Sequence, residues 1–245
     1  MKKLYSLLIL SCLAFSGFAQ TAASYSFSAF TAPYSSIAAT GTTVPTIIGD
    51  DIAQMNIPIG FTFVYCGVGR TQLAMSSNGI LSFANSGAAP WSDTGPGTMP
   101  AGGVGCLMPY WSDLYGGLCV ASKAYYQTTG VAPNRVFTAE WKDFNAFAWG
   151  GVCSCCIINM QCKLYEGTNI IDFCYSNSTL SGMGGTSGVL IGIANSTADW
   201  QTLNNDGAAP TPSAAVWNNH TITDAPAANQ VYRWYNQCTD RKSVV

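Results

Sequence analysis

With one histidine and two glutamates among 245 residues, this chain has few side chains able to run acid–base chemistry. His220 sits in Asn218-Asn219-His220-Thr221, and any Ser-His-Asp or Cys-His arrangement would have to use it. No Gly-x-Ser-x-Gly elbow accompanies it, so it reads as an exposed loop histidine. Glycoside hydrolysis would need two carboxylates about 5 to 10 Å apart. Glu140 and Glu166 are the only glutamates, and Asp113 and Asp143 stand near aromatics. Glu166 falls in a hairpin turn and Glu140 on the outward parity of its strand, where a carboxylate has a solvated or structural role. No catalytic residue is therefore predicted. Asp50-Asp51, and Asp113 after Trp111, are candidate oxygen ligands for calcium, which takes six to eight oxygens in a flexible loop. They lack Asp-x-Asp-x-Asp-Gly spacing, and turn capping is the competing use. Calcium aside, no cofactor is implied.

A second kind of chemistry is recognition by flat rings. Exposed Trp and Tyr cover the apolar face of a sugar while neighbouring Asn, Asp and Gln fix its hydroxyls. Trp91, Trp149, Trp200 and Trp217 lie in or beside Gly-, Asn- or Ser-rich stretches and form the candidate platform, with Asp93 on the same loop as Trp91. Trp111, Trp141 and Trp234 fit strand positions and read as core. The Asn-x-Ser/Thr triplets at Asn177, Asn195 and Asn219 are glycan acceptors only in a host with that machinery.

Cysteine usage depends on compartment. Lys2 and Lys3, the apolar run Leu4–Phe15 and the small-x-small site Gly17-Phe18-Ala19 read as a secretory signal over residues 1–19. No later segment offers 18 uninterrupted apolar residues, so no membrane span is expected after cleavage. Loss of Cys12 leaves nine cysteines: Cys66, Cys106, Cys119, Cys153, Cys155, Cys156, Cys162, Cys174 and Cys238. Outside the cytoplasm these are disulfide candidates. The Cys153–Cys156 cluster has no pair of zinc knuckles, and adjacent strand residues such as Cys155 and Cys156 point to opposite faces. An odd count leaves a free thiol or a partner outside the chain. The charged residues 239–245 form an irregular tail unlike the rest, and a truncated end with further modules beyond it is the expectation.

These residues must be positioned by strands. Charged side chains make up 9% against an ordinary value of about 25%, and the net charge is −2. That balance excludes a coiled coil, a charged disordered chain and a basic nucleic-acid binder. Abundant Gly and aromatics with almost no Glu point to an all-β chain. Residues 21–49 read as an edge strand and ordered loop. Ile57, Ile59, Phe61, Phe63 and Tyr65 alternate on one face, with Pro58 fitting an edge or a strand start. Asn78-Gly79 marks a hairpin between Leu73–Ser77 and Ile80–Phe83. Residues 85–105 read as a long surface loop. Further strands are expected at Lys123–Gln127, Arg135–Trp141, Ile157–Tyr165, Ile170–Tyr175, Val189–Ala194 and Val231–Tyr235. Around Gly167-Thr168, one register sets Leu164 against Ile171, Cys162 against Phe173 and Lys163 against Asp172. A slip by one residue would instead face Cys162 with Cys174. The first is favoured because it keeps the charged pair outside. Many short strands make an antiparallel β-sandwich over residues 20–238, jelly-roll-like or related and disulfide-stabilised.

A resemblance follows from the order of several stretches: Gly49-Asp50-Asp51, Ile59–Phe63, Ser76-Ser77-Asn78-Gly79-Ile80-Leu81-Ser82-Phe83, Pro109–Leu114, Pro133–Trp141, Leu164–Asn169 and Val231–Trp234. Together they resemble a β-sandwich module of large exported proteins of gliding-type bacteria, in a type IX secretion context. The module is distantly similar to the nidogen-like extracellular domain. The resemblance spans roughly residues 25–236 and implies a non-catalytic surface or adhesion role with no catalytic residue to carry over. The chain departs from the module in its cysteine enrichment and in lacking a sorting domain. Three functions are thus in view: a secreted or cell-surface structural or adhesion module meeting an extracellular protein or glycan surface, a carbohydrate-binding module, and a hydrolase with an Asp/Glu pair.

Overall fold

The computed structural model describes residues 20–85, 105–117, 121–146, 157–181, 189–218 and 221–236. Fifteen strands and two short 3-10 helices, Ala22–Ser24 and Pro45–Ile48, make up its regular structure. The strands are β1 (Ser26–Thr31), β2 (Thr42–Thr43), β3 (Ala53–Tyr65), β4 (Val68–Ser76), β5 (Leu81–Ser82), β6 (Cys106–Trp111), β7 (Leu114–Tyr115) and β8 (Lys123–Thr129). They continue as β9 (Val136–Ala146), β10 (Ile157–Tyr165), β11 (Ile171–Tyr175), β12 (Leu190–Ser196), β13 (Asp199–Leu203), β14 (Pro212–Ser213) and β15 (Gln230–Tyr235). One sheet runs β1-β15-β11-β10-β9-β8-β2 with β7 added to β9; the other runs β14-β13-β12-β6-β5-β4-β3. Every recorded ladder is antiparallel. The chain builds each sheet from a meander, β8 to β11 in one and β3 to β6 in the other, where a jelly roll would pair Greek keys.

The alternation that predicts β3 is what closes the sandwich. Ile57, Ile59, Phe61, Phe63 and Tyr65 are all buried, and β3 is an edge strand, where Pro58 lacks no ladder partner on its open side. From the opposite sheet Phe137, Ala139 and Trp141 enter the same core. Two aromatic polar groups cross between the layers. The Trp141 indole N–H donates to the Ser76 carbonyl at 2.8 Å, and the Tyr175 hydroxyl donates to the Pro109 carbonyl at 2.6 Å. A buried Trp or Tyr needs such a partner to avoid an unpaired polar atom.

Hairpin registers follow the side-chain period. Leu164 faces Ile171, Cys162 faces Phe173 and Lys163 faces Asp172, the register that puts the charged pair on the outer face of the sheet, where Arg233 pairs with Asp172, itself 2% exposed. The Asn78-Gly79 hairpin is present with a longer tip: Met75 pairs with Leu81, and the Ser76 N–H bonds the Ile80 carbonyl, leaving Ser77, Asn78 and Gly79 in the loop. Gly79 has φ +71°, and a Cβ there would stand 2.2 Å from the Tyr110 carbonyl oxygen, so both conformation and space demand glycine.

Two expectations are corrected. The disulfide candidates Cys66, Cys106, Cys162 and Cys174 are free, buried thiols. Cys162 lies in the inter-sheet core while its diagonal neighbour Cys174 has the opposite strand parity, and Cys106 belongs to a separate apolar cluster outside the second sheet. Trp200 is no loop residue: it lies on β13 and is 9% exposed. Glu140 has the expected outward parity and, of the two roles open to it, the structural one: residues 32–41 cross over it and leave it 1% exposed. The candidates Cys119, Cys153, Cys155, Cys156 and Cys238, and the segments 1–19 and 239–245, lie outside the described residues. Among the described residues no helix is long and apolar enough to cross a membrane.

Candidate functional site

Three turns meet where the sequence placed its acidic candidates. The first is the link after the 3-10 helix Pro45–Ile48, carrying Asp50 and Asp51; the second is the Ser77–Gly79 hairpin tip; the third joins β6 to β7 through Ser112 and Asp113. Asn78, fully buried, fastens the other two turns. Its side-chain amide donates to Asp51 Oδ1 at 2.8 Å, its Oδ1 accepts from the Leu114 N–H at 3.1 Å, and its carbonyl accepts from the Ser112 N–H at 3.4 Å. A reciprocal pair, Ile52 N–H to Ser77 Oγ at 3.1 Å and Ser77 N–H to the Ile52 carbonyl at 2.8 Å, holds the acidic link against the hairpin. Asp51 adopts φ +48°, a left-handed conformation that Asp tolerates better than most residues.

This scaffold gathers the three carboxylates so that one oxygen from each lies within 4.8 Å of the others. Asp50 and Asp51 are exposed, whereas Asp113 is 8% exposed. The Asn78 side-chain amide serves Asp51. Among the described residues no lysine or arginine forms an ion pair with any of the three. Burial, with Asp50 and Asp51 beside it, pushes the Asp113 carboxyl up to about 6. Burial and Asp51 likewise raise Asp50. Hard oxygen donors without nitrogen or sulfur match calcium chemistry and not zinc.

The glutamates are engaged elsewhere. Glu140 accepts from the Tyr34 hydroxyl and from the Ile37 N–H, each at 2.8 Å, and burial beside this carboxylate drives the Tyr34 phenol upward. Glu166 takes the Arg135 guanidinium in a fork, with Nε–H donating to Oε2 at 2.7 Å, and this pairing lowers the Glu166 carboxyl. Arg135 also donates to the Gly60 carbonyl at 2.6 Å, so the pair ties the β10–β11 turn to β3. Burial pushes the Cys66, Cys106 and Cys174 thiols up to about 12, which keeps them from acting as thiolate nucleophiles or ligands.

The tryptophan candidates divide. Trp217 stands edge-to-face with Trp200 at 5.1 Å and with Trp111 at 6.4 Å, completing an apolar cluster with Met108 and Leu190 outside the second sheet. Trp111 was expected in the core and is fully buried; Trp200 is covered, and only Trp217 keeps part of its surface. Trp91, Asp93, Trp149 and His220 lie outside the described residues. A feature not anticipated is a groove of about 390 Å³ on the outer face of the first sheet, walled by Ser35–Ile37 and Thr40 and floored by Gln127, Thr138, Lys163 and Tyr165.

A family model described as NIDO related matches residues 24–236, nearly the whole of this sandwich from β1 to β15. The chain belongs to the nidogen-related family. No curated protein and no solved structure matches it. Membership supports an extracellular interaction domain. In this nidogen-related chain three of the stretches that carried the resemblance, Gly49-Asp50-Asp51, Ser76–Phe83 and Pro109–Leu114, are the ones that meet at the acidic cluster. Sequence reasoning assigned Asn78 to a turn and missed its bridging; a buried-type hairpin flanked by apolar runs was the available signal. The cover over Glu140 carried a fainter one, a lone carboxylate inside the strand Phe137-Thr138-Ala139-Glu140-Trp141 of a chain with few charges.

Proposed function

We propose that this nidogen-related chain is a non-catalytic structural or adhesion module, exported after loss of residues 1–19, that meets an extracellular protein or glycan surface. The carrying observation is the family match over 24–236, which takes in strands of both sheets from β1 to β15. Glu140 and Glu166, the carboxylates a hydrolase would need, serve backbone and side-chain donors that hold the sandwich together. A large exported bacterial surface protein is the setting this reading favours, and covalent reinforcement there falls to Cys119, Cys153, Cys155, Cys156 and Cys238.

The binding face assigned is the groove beside residues 35–40. Ser35, Ser36, Thr40, Thr138 and Gln127 are among the residues that line it, and Lys163 gives it a cation that forms no salt bridge among the described residues. Polar donors and acceptors of that kind suit peptide backbone or sugar hydroxyls. The test is saturation binding of the exported chain to an immobilised panel of glycans and matrix proteins. Binding that Lys163→Gln weakens about tenfold, with an unchanged melting temperature, is the expected result. Absence of binding, or turnover of a glycoside panel that Glu140→Gln abolishes, overturns it. The carbohydrate-binding reading keeps one observation in its favour, the partly exposed Trp217; glycan binding lost on Trp217→Ala but retained in Lys163→Gln would place the ligand there instead.

A further inference from the structure

Three aspartates that pair with no lysine or arginine among the described residues are electrostatically incomplete. Unit charges about 4 Å apart repel by roughly 1 kcal/mol even in bulk water and by more as water is removed. A chain with 9% charged residues has nevertheless placed three acids on one spot, from two separate turns fastened through Asn78. The decisive side chain is Asp113. It is more than nine-tenths buried, accepts no hydrogen bond from the described residues, and its carboxylate faces those of Asp50 and Asp51. The Asp113 carboxylate takes no donor from the described residues, whereas the other buried carboxylates described here each have one: Glu140 has Tyr34 and Ile37, and Asp172 has Arg233 and Tyr165.

We propose that Asp50, Asp51 and Asp113 bind one calcium ion, which joins the link preceding β3 to the turn between β6 and β7. Calcium bonds oxygen at about 2.3 to 2.6 Å, so two ligand oxygens on opposite sides of one ion stand up to about 5 Å apart. The 4.8 Å bound on the three carboxylates already meets that limit without rearrangement. Two ligands are exposed, so water completes the shell; magnesium, which demands tight octahedral geometry, is the poorer fit. With three carboxylates and open coordination, affinity falls in the range of extracellular calcium modules, about 0.1 to 1 mM.

The experiment is thermal melting of the full chain after chelator treatment and dialysis, with calcium, magnesium or sodium chloride at matched ionic strength, followed by the same series on Asp113→Asn. Calcium at about 5 mM is expected to raise the melting temperature by roughly 2 to 5 °C beyond the sodium control, and magnesium by less. Asp113→Asn removes one of three like charges, so without calcium it melts at or above the stripped wild type, and it loses the calcium shift. A purely structural aspartate would instead melt lower on substitution. Should Asp113→Asn not fold, Asp50→Asn at an exposed position decides, with half-saturation moved upward by about tenfold. A wild type indifferent to calcium, or a full shift retained in whichever variants fold, overturns the proposal.

Discussion

Glu140 shows how a residue's surroundings override its parity. Its side chain leaves the sheet on the outer face, yet Tyr34 and Ile37 from the 32–41 crossing close over it and donate to both oxygens. Gln161, its neighbour across the ladder, is bound to the same crossing through its amide and the Ser35 carbonyl at 2.8 Å. Glu140→Ala strands a buried phenol and a backbone N–H, and the expected loss is about 1 to 3 kcal/mol, read from urea denaturation midpoints at constant m-value. The thiols give a prediction in pH. Cys66, Cys106 and Cys174 titrate near 12 when folded against an ordinary 9, so between those values the native state holds protons that the unfolded chain has released. Stability is therefore fully present below about pH 9 and falls above it, by up to about 1.4 kcal/mol per pH unit for each such thiol. Urea melts near pH 8 and pH 10 check the sign. At the lower pH a thiol reagent should label these three and Cys162 only after unfolding, whereas rapid labelling of the native chain would contradict their burial.

Among elements, the hairpins were the most legible part of the sequence because a period of two and a turn residue act within a dozen positions. The register of β10 on β11 follows from keeping Leu164 and Ile171 inside and Lys163 and Asp172 outside, and β3 follows from five alternating apolar residues. What could not be read was long-range closure. Nothing local to Asp172 says that Arg233 will fork onto it at 2.7 Å, or that Trp200 will be covered by Trp217. The acidic site was half legible: residue types gave Asp50, Asp51 and Asp113, while the hydrogen bonds that bring them together run through Asn78. The β4–β5 tip is accordingly the element where a small change should have a large effect. Gly79→Ala forces a left-handed alanine against the Tyr110 carbonyl, and a loss of about 2 to 4 kcal/mol is expected from strain and overpacking together. Because Asn78 rides on the same tip, this variant should also weaken any calcium response; an unchanged melt would show that the tip is free to shift.

At the scale of the molecule, closure depends on two strands far apart in sequence. β1 pairs with β15 from Ser26 against Tyr235 to Thr31 against Gln230, so one edge of the first sheet is made of both extremes of the described chain. β15 also carries Tyr232 and Trp234 into the core, where Phe173 meets the Trp234 ring at 4.7 Å, and Arg233 onto Asp172 outside. Removing β15 therefore strips β11 of its neighbour, leaves β1 without a partner and exposes Val231, Tyr232 and Trp234 positions at once. At about 1.5 to 3 kcal/mol for each large apolar side chain, the loss is comparable with the whole stability of an ordinary domain. A chain spanning 20–229 should show no cooperative thermal transition, while 20–236 should melt in a single step. Folding of the longer chain should also be slow for its stability, because the β1–β15 ladder rewards ordering only after about 200 intervening residues have been constrained. A cooperative melt in the shorter chain would mean that the two meanders stand without their closing ladder, and that the family match covers more chain than the fold requires.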